Sequence, residues 1–191
     1  MPNEAAWETF FDPDATLAAL AFLRRCADVI DFGCGYGIFT VAAALQTSGT
    51  VYAVDIESSM IEATAARAQG HGLGNVETVL RDFVARGTGL PDESVDYAML
   101  FNILHGENPA GLVAEAFRVL RPGGRVAVTH WVHDAATPRG PDLSIRPRPE
   151  DCRQWLEQAG FELLIRHVPL PPHHFGVVAI RPQKEGSQQA R

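Results

Sequence analysis

At 191 residues, 46% hydrophobic and 20% charged, the chain suits one soluble globular domain with a sizeable core. A formal net charge of −7 argues against a broad nucleic-acid-binding surface, because such surfaces work by neutralising phosphates. Cys26, Cys34 and Cys152 are too scattered for a disulfide framework or a C-x-x-C metal site, no run of about 18 apolar residues can span a bilayer, and Met1-Pro2-Asn3-Glu4 lacks a signal-peptide layout, so a cytoplasmic protein is expected.

Asp12-Pro13-Asp14 reads as an N-cap with proline in the first turn, and predicts a helix through Leu17, Leu20 and Leu23 to near Arg25. A strand over Asp28–Asp31 then runs into Gly33-Cys34-Gly35-Tyr36-Gly37, with glycine at every second position. Glycine tolerates unusual backbone angles and lets a ligand approach the main chain. With a helix following over Tyr36–Gln46, the turn is expected to offer free N–H groups to a polar tail. After Ser48-Gly49 comes the β-branched strand Val51–Asp55, and Ser59-x-x-Glu62 has the form of a capping box opening a helix to Gly70.

The strand Val76–Leu80 precedes Arg81-Asp82-Phe83. After Pro91–Ser94, the run Val95–Leu104 is almost wholly apolar, as for a strand covered on both faces. Pro109 opens a helix to Leu120, ended by Arg121-Pro122-Gly123-Gly124, and a strand over Val126–Trp131 follows. The stretch Asp134–Arg148 lacks periodicity and reads as a loop. A helix from Pro149 through Trp155 and Leu156 stops at Gly160. Strands over Phe161–Val168 and Phe175–Ile180, joined through Pro169–His174, close one domain over residues 1–182, with residues 1–25 as an N-terminal cap and 183–191 as a polar, frayed tail.

Five strand–helix alternations followed by a hairpin define an α/β fold. The expectation is a three-layer, doubly wound, seven-stranded sheet, mostly parallel with an antiparallel last strand. Ligands belong beyond the C-terminal strand ends. Asp31 and Asp55 both end strands there, and Asp55 suits a ribose diol, which nicotinamide and sulfonium cofactors share. The spacing separates them: the dinucleotide fingerprint needs glycine at position 38, where Ile38 stands.

These motifs together resemble the class I S-adenosylmethionine-dependent methyltransferases, of the small group known as type 11, over about residues 14–182. Val29–Gly37 resembles the family's first motif, implying the methionine portion of the cofactor against Gly33, Gly35 and Gly37, with Asp31 in the same site. Ala53-Val54-Asp55-Ile56 resembles the second, implying Asp55 on the ribose and Ile56 beside the adenine. Asp82 matches the acid on the adenine amino group, with Phe83 its neighbour. Leu90–Asp96 and Val119–Gly124 resemble the stretches flanking the fourth strand and preceding the fifth. The implied cofactor is S-adenosyl-L-methionine, leaving as S-adenosyl-L-homocysteine, on a Rossmann-like methyltransferase fold.

Transfer of an activated methyl needs in-line approach more than acid–base help. Asn102 is expected to line the site or to serve as a structural amide. The chain reads Asn102-Ile103-Leu104-His105 where nucleic-acid and amide-nitrogen methylating relatives carry (D/N)-P-P-Y. By resemblance this leans to a small-molecule acceptor, with no nucleic-acid or membrane partner and a monomer or homodimer. His105, His130, His133, His173 and His174 map near one rim; His105 and His174 are the expected catalytic residues, with no metal site assigned. Cys34 is read as packing. Trp7, Phe10 and Phe11 form either a lid over the acceptor or part of the core. Arg139, Arg146 and Arg148 are read as solvated loop cations, with contact to an anionic acceptor as the alternative. A non-catalytic cofactor-binding module and an NAD-dependent oxidoreductase are the competing functions.

Overall fold

The computed structural model describes residues 10–22 and 27–183. In chain order the elements are α1 (Pro13–Ala19), β1 (Val29–Phe32), α2 (Ile38–Ala44), β2 (Val51–Asp55), α3 (Ser58–Gly70), β3 (Val76–Leu80) and α4 (Phe83–Arg86). There follow β4 (Val95–Phe101), α5 (Pro109–Val119), β5 (Leu120–Trp131), α6 (Pro149–Gln158), β6 (Glu162–Leu170) and β7 (His174–Ile180). All seven strands join one sheet in the order β3-β2-β1-β4-β5-β7-β6. Only β7 runs antiparallel, against both β5 and β6. The expected doubly wound α/β sheet is the one observed.

Alternating side chains send two cores to opposite faces of this sheet. Ile30, Phe32, Leu100, Val126 and Val128 pack with Leu112, Val113 and Ala116 of α5 and Leu156 of α6. Val29, Val51, Tyr97, Met99 and Ala127 pack on the other side with Leu17 and Leu20 of the α1 region and Phe39, Ala42 and Ala43 of α2. Every residue of α2 is buried, which fits its unbroken apolar sequence IFTVAAA. No helix among the described residues is long and apolar enough to cross a membrane.

Several boundaries differ from the sequence expectation, each for a local reason. Gly37 takes φ +75° and caps α2, so that helix starts at Ile38 and not at Tyr36. Asn102 takes φ +56° and ends β4 three residues early. The capping box at Ser59 does not form: α3 starts at Ser58, and the Asp55 carboxylate accepts from the Glu57 N–H at 3.0 Å. The short α4 was unforeseen; the Asp82 carboxylate caps it by accepting from the Ala85 N–H at 3.0 Å. α1 stops at Ala19, with Ala21 at φ +54° beyond it. Trp7, Leu23, Arg25, Cys26 and the tail from Lys184 lie outside the described residues.

Candidate functional site

The C-terminal ends of β1, β4 and β5 open into a cavity of about 410 Å³. One end is built by Asp31 and the glycine turn, the other by Trp131 and the loop Arg139–Pro141. Phe39, Phe101, Asn102, Ile103 and His105 complete its wall.

The turn works by shape more than by offering donors. Gly33 and Cys34 N–H groups donate to Val54 O at 2.8 and 3.1 Å, and Gly37 N–H donates to Cys34 O. Gly35 N–H donates to Asp55 Oδ2 at 2.9 Å. The expected cradle of free amides is therefore largely consumed within the protein. The glycines are required all the same. At Gly33, φ is +69° and a Cβ would press on Ile103 Cγ2 at 3.0 Å; at Gly37 it would stand 2.8 Å from Thr64 Oγ1 and 3.0 Å from its Cα. Cys34 is buried, with Thr64 Oγ1 3.4 Å from its sulfur, and burial pushes its thiol far above the usual range. That is a packing residue.

Asp31 is 3% exposed and lines the cavity. Thr40 Oγ1 donates to its Oδ2 at 2.6 Å. Burial raises its carboxyl to about 7; the Thr40 hydrogen bond opposes the shift and the Asp55 charge adds to it. Asn102 presents a second acceptor, since its buried Oδ1 has no hydrogen-bond partner among the described residues. A carboxylate and an amide oxygen on one apolar cavity fit a ligand bearing an ammonium group. This is the test that a methionine-tailed cofactor meets here.

Asp31, Gly33, Gly35 and Asn102 thus line the cavity, while Gly37 caps α2 behind it. Asp55, Ile56, Asp82 and Phe83 lie beside the cavity at the ends of β2 and β3. Asp55 is buried and already accepts two backbone N–H bonds, with further lone pairs remaining on its oxygens. Ile56 is 54% exposed, a bare apolar surface at the end of β2. Phe83 is buried edge-on against Phe32, with ring centroids 5.9 Å apart.

The histidines divide. His105 is half-buried on the cavity wall, its Nδ1 3.4 Å from Nε2 of the fully buried His130. Burial lowers the pKa of both; for His130 it falls to about 3, with the neighbouring His105 charge as the second cause. His174 sits away from the cavity lining. Its ring is held between Phe11 and Trp131, at centroid distances of 4.4 and 4.2 Å, and burial lowers its pKa to about 3. His133 Nδ1 meets Arg146 O at 2.9 Å, and His173 stacks on Trp131. No group of three His, Cys, Asp or Glu able to hold a metal occurs among the described residues.

Arg146 departs from the solvated-loop reading. It is buried, and its guanidinium donates to the carbonyls of Val132, Asp134 and Pro141 and to the Thr137 hydroxyl. One side chain thereby folds residues 132–141 into a wall. Phe10 packs edge-on to Trp131 and Phe11 edge-on to Phe39, so both back the aromatic side of the cavity.

A doubly wound sheet with a glycine turn after its first strand defines a Rossmann-like cofactor-binding domain. The chain belongs to the methyltransferase domain family, whose profile matches residues 24–162. It is 30% identical over 152 residues to the aklanonic acid methyltransferase DauC of a Streptomyces species, covering 69% of this chain and 68% of that one. It is 41% identical over 104 residues to a ribosomal protein L11 methyltransferase of Methylococcus capsulatus, covering 54% and 33%. The chain spans between 33% and 68% of the length of the first curated relatives it matches. A crystal structure of a SAM-dependent methyltransferase from Aquifex aeolicus superposes with a TM-score of 0.82 at 26% identity, over 94% of each chain.

Proposed function

We propose that the chain transfers a methyl group from S-adenosyl-L-methionine to a small-molecule acceptor. The observation that carries this is the single cavity joining an Asp31–Gly35 end, suited to an amino-acid tail, to an aromatic end with a histidine on its wall. When bound, the cofactor supplies a methyl group already activated on a sulfonium sulfur.

The chain's own residues have separate tasks. Asp31 and the Asn102 Oδ1 hold the ammonium, and Gly33 and Gly35 leave room for the tail. Asp55 holds the ribose hydroxyls through its remaining lone pairs, and Ile56 and Asp82 flank the adenine. Phe39, Phe101 and Trp131 exclude water and orient the acceptor, and orientation is the larger part of such catalysis. We assign His105 the tautomer with its hydrogen on Nδ1, 3.4 Å from His130 Nε2, so that the Nε2 of His105 is the nitrogen that takes a proton from the acceptor's hydroxyl, thiol or amine. Its depressed pKa keeps that nitrogen free at neutral pH.

A thermal-shift comparison of S-adenosylhomocysteine with NADH tests the cofactor. At 100 times its dissociation constant a ligand adds about 2.7 kcal/mol of stability. Asp55→Ala should remove most of that shift, and stabilisation by NADH alone would overturn the reading. Release of S-adenosylhomocysteine over a small-molecule panel tests the acceptor. Turnover only on a ribosomal protein would refute the small-molecule part, and tight cofactor binding without turnover on either would point to a non-catalytic module.

A further inference from the structure

Arg139 has a place the proposed reaction leaves unused. Among the described residues it is the only arginine or lysine lining the cavity, at the end remote in sequence from the glycine turn. Among the described residues its side chain makes no hydrogen bond or ion pair. The acids nearest in sequence are engaged locally: Asp134 Oδ1 accepts from Ala136 N–H, and Asp142 Oδ1 accepts from the Ser144 N–H and hydroxyl, all at 2.8 Å.

The position of Arg139 is built into the loop. Arg146 gathers the carbonyls on either side of it, including Arg139 O at 3.4 Å. The next residue, Gly140, takes φ +119°, and a Cβ there would stand 2.8 Å from Arg146 Nη2 and 2.9 Å from Trp131 Cγ. Only glycine lets the loop press onto the tryptophan this closely. The loop carrying Arg139 is therefore held against Trp131, and the exposed Arg139 side chain stands at the rim of the cavity.

Resting on the methyltransferase reading, we infer that the acceptor is a ring-bearing carboxylic acid. Its rings lie on Trp131, Phe39 and Phe101, and its carboxylate pairs with Arg139. An apolar wall selects rings by area, and a guanidinium fork selects a carboxylate by matched, charge-assisted hydrogen bonds. A formal net charge of −7 offers an anion no general attraction, so its recognition falls to a local cation. Asp31, at the other end of the cavity, meets the cofactor's ammonium and leaves the acceptor's charge to Arg139.

The test uses 2-naphthoate and its neutral counterpart 2-naphthamide, each titrated calorimetrically into protein saturated with S-adenosylhomocysteine. Wild type should bind the acid about tenfold or more tightly than the amide. R139Q should erase that preference, R139K should keep part of it, and the affinity for S-adenosylhomocysteine should be the same in all three. Equal binding of acid and amide by wild type, or a preference surviving in R139Q, overturns the inference. So does loss of S-adenosylhomocysteine affinity in R139Q, which would assign the guanidinium to the cofactor's own carboxylate. Binding of neither probe to the loaded protein also overturns it. Failure of S-adenosylhomocysteine to bind wild type, seen in its own titration, removes the underlying cofactor reading and the inference with it.

Discussion

Replacing Asp31 by Asn should stabilise the ligand-free protein at alkaline pH and weaken its hold on the cofactor. Burial holds the Asp31 carboxyl at about 7 against an ordinary 3.8. Between those values the folded protein keeps a proton that the unfolded chain has released. Stability therefore falls as pH rises across that window and is level above it. At 1.36 kcal/mol per pKa unit, the buried charge costs about 4 kcal/mol at pH 8, taken as an upper bound. Asn matches the shape, can still accept from Thr40 Oγ1, and never ionises.

Urea unfolding of both proteins at pH 5 and pH 8 measures the effect. The stability gap between variant and wild type should widen by about 2–3 kcal/mol over that interval, a midpoint change on the order of 1–2 M. In the same variant, affinity for S-adenosylhomocysteine should fall about ten- to a hundredfold, the loss of a charged hydrogen bond to an ammonium. A gap that stays constant with pH refutes the buried-charge argument. Unchanged affinity refutes the role of Asp31 in the site.

Three further outcomes follow from single side chains. With the cofactor saturating, kcat/KM for the acceptor should rise with pH through a midpoint below 6.5, because His105 acts as its neutral form and burial lowers its pKa. His105→Gln should remove this limb at a cost of about 10²–10⁴ in rate, and an unchanged pH profile would count against the base. Arg146→Lys should expose residues 134–148 to limited proteolysis and lose about 2 kcal/mol, since an ammonium cannot span the carbonyls the guanidinium gathers; a cleavage pattern like wild type would sink this account. Gly37→Ala should cost several times more than Gly72→Ala. Both take positive φ, costing about 1–2 kcal/mol, but only the Gly37 substitution drives a Cβ into Thr64. Equal losses in chemical denaturation would remove the contact from the argument.

The glycine-turn end of the cavity was legible because it is local in sequence. Asp31, Gly33, Gly35 and Gly37 fall within seven residues, and the strand that sets their direction is the run just before them. What the sequence did not reveal is that the turn's amides are already bonded to Val54 and Asp55, since that depends on the neighbouring strand's register. The aromatic wall was hidden for a related reason. Phe39, Phe101 and Trp131 come from α2, β4 and β5, and each reads in sequence as one more apolar core residue. Arg146 was misread because its partners are backbone carbonyls, which leave no mark in composition. Asn102 was found by position at a strand end. Its φ of +56° and orphaned oxygen are properties that only coordinates contain.

The same contrast explains why the histidines separate. Strand geometry brought His105, His130 and His174 to one edge, as their sequence positions implied. Which of them reaches the cavity was decided by pairing: β7 lies antiparallel to β5, so His174 stands opposite Trp131 and packs against its ring. The indole is 1% exposed and also meets Phe10, so this wall of the cavity cannot move without disturbing Phe10. His105 follows β4, beyond the pairing of the sheet, and is free to face the cavity with His130 behind it. The base we propose is thus placed on a loop, beside a fully buried strand residue. That arrangement lets the loop vary with the acceptor while the buried residue beside it stays fixed.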